Sequence, residues 1–130
     1  MEVKRRAALA RRAVATLASV LQEPKSALVR DAAIQRFEYS FEAVWKATQR
    51  YLRDVEGVDV ASPVAAIRKA SAVGLLDEAA ARLALEMVGD RNLTVHTYNE
   101  PLAEEIFGRL PRYVKLLVSW SDALATRIGD

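Results

Sequence analysis

The feature that most constrains this chain is a long apolar stripe in its first half. Ile34, Phe37, Phe41, Val44, Thr48, Tyr51 and Val55 recur at alternating three- and four-residue steps, and Trp45 and Leu52 widen the set. On an α-helix this spacing lines up one face over several turns, and such a seam is satisfied by packing against other helices. A helix from Ala27 to Val55 extends roughly 40 Å at about 1.5 Å per residue. Gly57 supplies its stop.

The flanking sequence offers the seam its partners. A first helix is predicted from about Glu2 to Leu21, with Ala10, Val14, Leu17 and Leu21 inward. Pro24 closes it, and Ser26 is placed to cap the next. Ser62-Pro63 opens a short helix with Val64, Ile67 and Ala70 inside, ending at Gly74. Asp77 caps a fourth, carrying Leu83, Met87 and the Arg91–His96 segment. A fifth begins near Asn99 and presents Leu102, Ile106, Leu110, Val114, Leu117 and Leu124; Pro111 inside it predicts a kink or break. Alanine occurs 23 times, against 5 glycines and 4 prolines, so helix formers dominate and turn residues are scarce. The expected fold is all-α: an up-and-down bundle of four main helices plus a short additional helix, one domain over residues 1–130.

Several function classes drop out. Without cysteine there is no disulfide framework, thiolate zinc site or cysteine nucleophile. No apolar run approaches a membrane span or a secretory signal, so a cytoplasmic protein without membrane contact is expected. The net charge of +2 is too small to announce a nucleic-acid binder. The charge is uneven, however. Lys4, Arg5, Arg6, Arg11 and Arg12 make the amino terminus basic, which fits a solvated, partly frayed helix end better than an RNA contact. Glu86, Asp90, Glu100, Glu104 and Glu105 place acid around Arg91.

The chemistry concentrates in Arg91-Asn92-Leu93-Thr94-Val95-His96-Thr97-Tyr98, which holds the only histidine. On a continuous helix Asn92 and His96 stand one turn apart on one side. The following Asn99-Glu100-Pro101 starts a new helix, which leaves Tyr98 on an accessible loop. An arginine fork can hold a phosphodiester, and a histidine can move a proton at neutral pH. RNA cleavage without metal needs a proton removed from the 2′-hydroxyl and another delivered to the departing 5′-oxygen. One histidine cannot conveniently stand on both sides, so this chemistry asks for a two-fold dimer. The same residues also fit plainer roles: His96 as a helix-end polar group, Arg91 in a surface ion pair with Asp90 or Glu86, Tyr98 as a core-edge aromatic.

Other polar sets are weaker. Gln35, Glu38, Glu42, Lys46 and Gln49 form a stripe beside the seam, and Glu38–Glu42 lacks the Glu-x-x-His pattern of a di-metal site. Lys46, Arg50 and Arg53 follow one another along one side, a row that can touch phosphates but is usually a solvated face.

Two blocks carry a resemblance. Arg36-Phe37-Glu38-Tyr39-Ser40-Phe41-Glu42-Ala43-Val44-Trp45-Lys46 resembles the second-helix signature of the nucleotidyltransferase substrate-binding family, within the HEPN superfamily. Asp90 to Glu100 resembles the superfamily's Arg-polar-x-x-x-His motif followed by x-Tyr. Ser62-Pro63 through Gly74-Leu75 is also similar, and the likeness spans roughly Asp31 to Leu117. The resemblance implies a homodimeric helical bundle paired with a small separate nucleotidyltransferase. In related toxin–antitoxin pairs the HEPN member is a ribonuclease, silenced when the partner adds AMP to the motif tyrosine. Carried over, Arg91 would bind phosphate, Asn92 would orient, His96 would be the acid or base, and Tyr98 the modification acceptor. This chain would need no cofactor or metal of its own, ATP and Mg²⁺ being required by the partner. The alternative is a non-catalytic subunit that binds substrate or nucleotide for the nucleotidyltransferase; a third is a plain helical scaffold.

Overall fold

The computed structural model describes residues 2–129, and within them every regular element is helical. The elements are α1 (Glu2–Val20), α2 (Ala27–Tyr51), a π-helical turn (Leu52–Glu56), α3 (Pro63–Ala72), α4 (Glu78–Leu93), a 3₁₀ turn (Thr94–His96) and α5 (Glu100–Arg127). Helices α1, α2 and α5 pack on one another as the main bundle, while α3 and α4 pair with each other and lean on α2 and α5. The expected all-α bundle is what forms.

Helix starts follow the caps seen in the sequence. Ser26 Oγ accepts from the Val29 amide at 3.0 Å, Ser62 Oγ from Ala65 at 3.1 Å, and Asp77 Oδ1 from Ala80 at 2.7 Å. Asn99 Oδ1 accepts from Leu102 at 3.2 Å and opens α5. Each satisfies an amide that the first turn leaves without a helical partner. Gly57 and Gly74 take φ of 70° and 78°, the left-handed geometry that ends a helix without a Cβ clash.

The core collects the seam residues Ile34, Phe37, Phe41, Val44 and Tyr51 with Leu17, Ile67, Met87, Leu110, Leu117 and Trp120. Two polar groups inside it are linked: Trp120 Nε1 donates to Thr48 Oγ1 at 2.9 Å, and Thr48 in turn donates to the Val44 carbonyl, whereas the buried Ser40 hydroxyl has no hydrogen-bond partner among the described residues. The polar seam position thus accepts a hydrogen bond from the bulkiest core side chain.

Three expectations need correction. Val55 is 53% exposed and leaves the seam, whereas Leu52 is fully buried. The π turn is wider than an α turn, so it rotates the residues after Leu52 off the three-and-four register. Of the kink or break expected at Pro111, the break does not form: α5 is one helix from Glu100 to Arg127. Pro111 is exposed, so its ring sits on the outer face of the helix. Finally, α4 ends at Leu93 rather than carrying the chain to His96. Thr94 Oγ1 donates to the Arg91 carbonyl and Thr97 Oγ1 to the Thr94 carbonyl, which tightens the last turn. No helix of the described residues is long and apolar enough to cross a membrane.

Replacing Thr48 by valine strands the buried Trp120 N–H at nearly constant volume. A loss of about 1–3 kcal/mol in urea unfolding is expected, partly recovered when Trp120→Phe is added. A loss under about 0.5 kcal/mol, the range of inconsequential surface changes, would show that this hydrogen bond does not hold α5 to α2.

Candidate functional site at the α4–α5 junction

Helix α4 is alanine-rich, and its fully buried apolar residues are few: Ala84 and Met87. The next inward position is Asp90, a carboxylate in the apolar register. Its Oδ2 accepts from Arg109 Nε at 2.6 Å and from Tyr113 Oη at 2.6 Å, and its Oδ1 from Arg109 Nη2 at 2.9 Å. The bidentate fork and the phenol meet the buried anion's need for donors. The Tyr113 ring also stacks on Phe37, with centroids 5.5 Å apart and planes 17° apart. So α2, α4 and α5 are tied together one residue before Arg91. Burial, then the hydrogen bond to Asp90, pushes the Tyr113 phenol well above the ordinary tyrosine range.

A second clamp sits on the far side of the junction. Arg30, a buried cation in the second turn of α2, reaches Glu104 at 3.0 Å and Asp31 at 3.0 Å, with Glu100 at 3.8 Å. Lys25 Nζ donates to Glu104 at 2.6 Å. The hydrogen bonds from Lys25 and then Arg30 hold the Glu104 carboxyl below its usual value. These contacts fix the start of α5 against the start of α2.

Between the clamps lie the four residues singled out in the sequence. Arg91 is half-buried; Asn92, His96 and Tyr98 are exposed, Tyr98 at 83%. The Arg91 guanidinium pairs with no carboxylate among the described residues, so the surface ion pair with Asp90 or Glu86 does not form. Four of the five acids near it are engaged elsewhere: Asp90 by Arg109, Glu86 by Arg112 at 3.6 Å, Glu100 and Glu104 by Arg30. The acidic neighbourhood of the sequence is therefore largely neutralised in space.

The His96 and Tyr98 rings stand edge to face with centroids 6.1 Å apart. Tyr98 is on the loop, as expected, and not at the core edge. Arg91 instead lines a shallow hollow of about 390 Å³ on α2, with Gln35, Glu38, Tyr39 and Glu42. His96, Asn92 and Tyr98 are not part of its lining, so one copy of the chain does not gather guanidinium and imidazole into a single hollow. The 3₁₀ turn also removes the one-turn α-helical alignment of Asn92 with His96. Leu93 and Val95, 40% and 65% exposed, add apolar surface beside the histidine. Among the described residues no group of three or more His, Asp or Glu side chains is placed to hold a metal ion.

Sequence patterning missed Arg109 and Tyr113. The available signal was Asp90 itself, at three residues from Met87 on the inner face of α4, since a carboxylate there demands buried donors.

Asp90→Asn removes the anion from a pair whose arginine is 35% exposed; a loss of about 2–3 kcal/mol is expected, short of the fully buried figure. Because the Tyr113 pKa is raised on folding, its contribution is complete below about pH 10 and falls as pH rises toward the folded value. Alkaline unfolding should therefore shift to higher pH in Tyr113→Phe relative to that variant's own stability at pH 8. By contrast, Arg91→Ala and His96→Ala, which lose no hydrogen bond made by their side chains, should stay within about 0.5 kcal/mol of the parent.

The profile of a family described as nucleotidyltransferase substrate binding protein like matches residues 5–126. The chain is also similar to the crystal structure of a protein from Thermus thermophilus, with a TM-score of 0.85 at 58% identity, covering 88% of this chain and 98% of that one. No curated protein matches it.

Proposed function

The chain belongs to the nucleotidyltransferase substrate binding protein like family, and from that premise we propose that it is the HEPN-type subunit of a two-component system with a separate nucleotidyltransferase. In this reading its activity is endoribonucleolytic and needs no metal, with a composite site formed when two copies meet around His96. The observation that carries it is the unengaged pair: Arg91 without a carboxylate partner and His96 exposed on the adjoining turn, in a region whose other charges are largely matched.

The chemistry is an in-line displacement. The 2′-oxygen attacks phosphorus and the bond to the 5′-oxygen breaks, leaving a 2′,3′-cyclic phosphate and a 5′-hydroxyl. Arg91 would hold the non-bridging oxygens through its fork, and Asn92 would orient them. One His96 would take the 2′ proton and the partner copy's imidazole would deliver one to the leaving oxygen. A second copy is what this reading requires, because a single chain keeps Arg91 and His96 in separate surroundings. The exposed Leu93, Val95 and Tyr98 supply apolar area where the copies would meet.

Tyr98 fits the regulatory half. Its phenol is exposed and free of hydrogen bonds within the described residues, so it can reach another enzyme's site. Attack of its oxygen on the α-phosphorus of ATP, with release of pyrophosphate, would place AMP beside His96 and obstruct it by bulk and charge. ATP and Mg²⁺ would belong to the partner.

The non-catalytic reading retains one observation in its favour. Glu38 and Glu42 share the Arg91 hollow and would repel a phosphodiester. A subunit that only presents substrate to the nucleotidyltransferase would form the complex and never cut RNA.

The test is direct. Purified protein incubated with RNA in chelator should yield cyclic phosphate ends, and His96→Ala or Arg91→Ala should lower the rate by at least about a hundredfold. Undiminished cleavage by His96→Ala would remove the assignment. With an active partner, ATP and Mg²⁺, peptide mass spectrometry should find AMP on Tyr98; an adduct on another tyrosine would refute that part alone.

A further inference from the structure

The row Lys46, Arg50, Arg53, by sequence alone a solvated face, acquires a fourth cation and two walls in the fold. Arg6 comes in from the first turns of α1, and the loop residues Asp59 and Val60 close the other side. Together with Gln49 these residues enclose a cleft of about 230 Å³. Gln49 Nε2 donates to the Val60 carbonyl at 2.8 Å and so fixes the loop wall. The lining carries four cations and one carboxylate, Asp59.

The donors are oriented but not used up. Glu2 takes Arg6 through Nε at 3.0 Å, and Asp54 takes Arg50 through Nε at 2.8 Å. Both tethers hold the head group from the rim and leave the Nη atoms without a hydrogen bond among the described residues. Lys46 Nζ makes a loose approach to Glu42 at 3.5 Å and lies 6.0 Å from the centroid of the Trp45 ring. Arg53, on the π turn, is exposed and has no carboxylate partner among the described residues. Hydrogen bonds from Arg5, then Arg6, lower the Glu2 carboxyl to about 2, so the Arg6 tether stays ionised at every physiological pH. Ion pairs that spend only Nε leave planar forks facing a hollow, which is the geometry that grips phosphoryl oxygens. An ordinary solvated row has neither the facing wall nor the second helix.

We propose that the cleft between the start of α1 and the end of α2 is a binding site for phosphoryl groups, separate from the Arg91–His96 junction. Arg50 and Arg53 hold the oxygens as forks, Lys46 adds charge from the same row and Arg6 from the facing helix α1, and Asp59, the one carboxylate of the lining, opposes the anion. Two sources present this chemistry: a free polyphosphate such as the tail of a nucleoside triphosphate, and the backbone of a nucleic-acid strand. The site stands independently of the ribonuclease reading, since it shares no residue with Arg91, His96 or Tyr98.

The experiment measures binding by calorimetry with inorganic triphosphate, with ATP, and with a 2′-O-methyl oligouridine of about twelve nucleotides, which cannot be cleaved through its 2′-oxygen. Arg53→Glu and Lys46→Gln/Arg53→Gln are compared with the parent and with Arg82→Glu, a charge-matched change on α4 outside the cleft. Arg53 makes no hydrogen bond among the described residues, so its variant should fold, which far-UV circular dichroism checks. The expected result is a loss of affinity of about tenfold or more in the cleft variants and little change in Arg82→Glu. If triphosphate and ATP show the loss, the source is a free polyphosphate; if only the oligonucleotide binds and shows it, the source is a strand. Equal binding by Arg53→Glu and the parent, or no binding of any of the three to the parent at about millimolar ligand, overturns the proposal. RNA cleavage, if present, should persist on a dinucleotide in Arg53→Glu, so failure here and failure of the junction are told apart.

Discussion

The carboxylate of Asp90 is the contact on which the candidate site depends. Helix α4 buries only Ala84 and Met87 fully among its apolar residues, while Leu83, Leu85 and Val88 pack against the core only in part, so its last turn depends on more than hydrophobic burial. A charge at the next inward position would ordinarily be costly, but Arg109 and Tyr113 enclose it from α5. Tyr113 commits its hydroxyl to Asp90 and its ring to Phe37, which connects the clamp to the seam of α2. The direction of the last turn of α4, and hence the position of Arg91, follows from this one group.

Charge matching explains why the junction keeps reactive groups available. Arg30 and Lys25 engage Glu100 and Glu104 on one side, and Arg109 engages Asp90 on the other. The pairing uses Lys25 just before α2, Arg30 of α2 and Arg109 of α5, and leaves Arg91 of α4 without a carboxylate partner among the described residues. At the opposite end of α2, tethers through Nε leave the Arg6 and Arg50 forks open. In both places an ion pair sets an orientation without consuming the donors that a ligand would meet.

Much of this was legible beforehand, and the reasons are local. Ser26, Ser62, Asp77 and Asn99 cap the helices they precede because each hydroxyl, carboxylate or amide bonds an amide three residues on. Gly57 and Gly74 end helices because their backbones adopt positive φ. Tyr98 lies on a loop because Asn99 starts a new helix immediately after it. Where local rules failed, a longer-range or competing interaction intervened. The π turn rotated Val55 outward, threonine hydroxyls shortened α4, and exposure of the Pro111 side of α5 left the helix unbroken.

The sequence by itself determined that this would be a helical bundle, where most of its helices begin and end, and which segment carries an arginine, a histidine and a tyrosine in one short run. Those properties depend on residues a turn or so apart, whose relative positions are set by the backbone alone. Tertiary structure decided which charges find partners, that Arg91 turns toward α2 while His96 and Tyr98 face outward, and that Arg6 joins a row from another helix. These rest on side chains distant in the chain, such as Asp90 with Arg109 or Arg30 with Glu104, whose proximity exists only after the helices have packed.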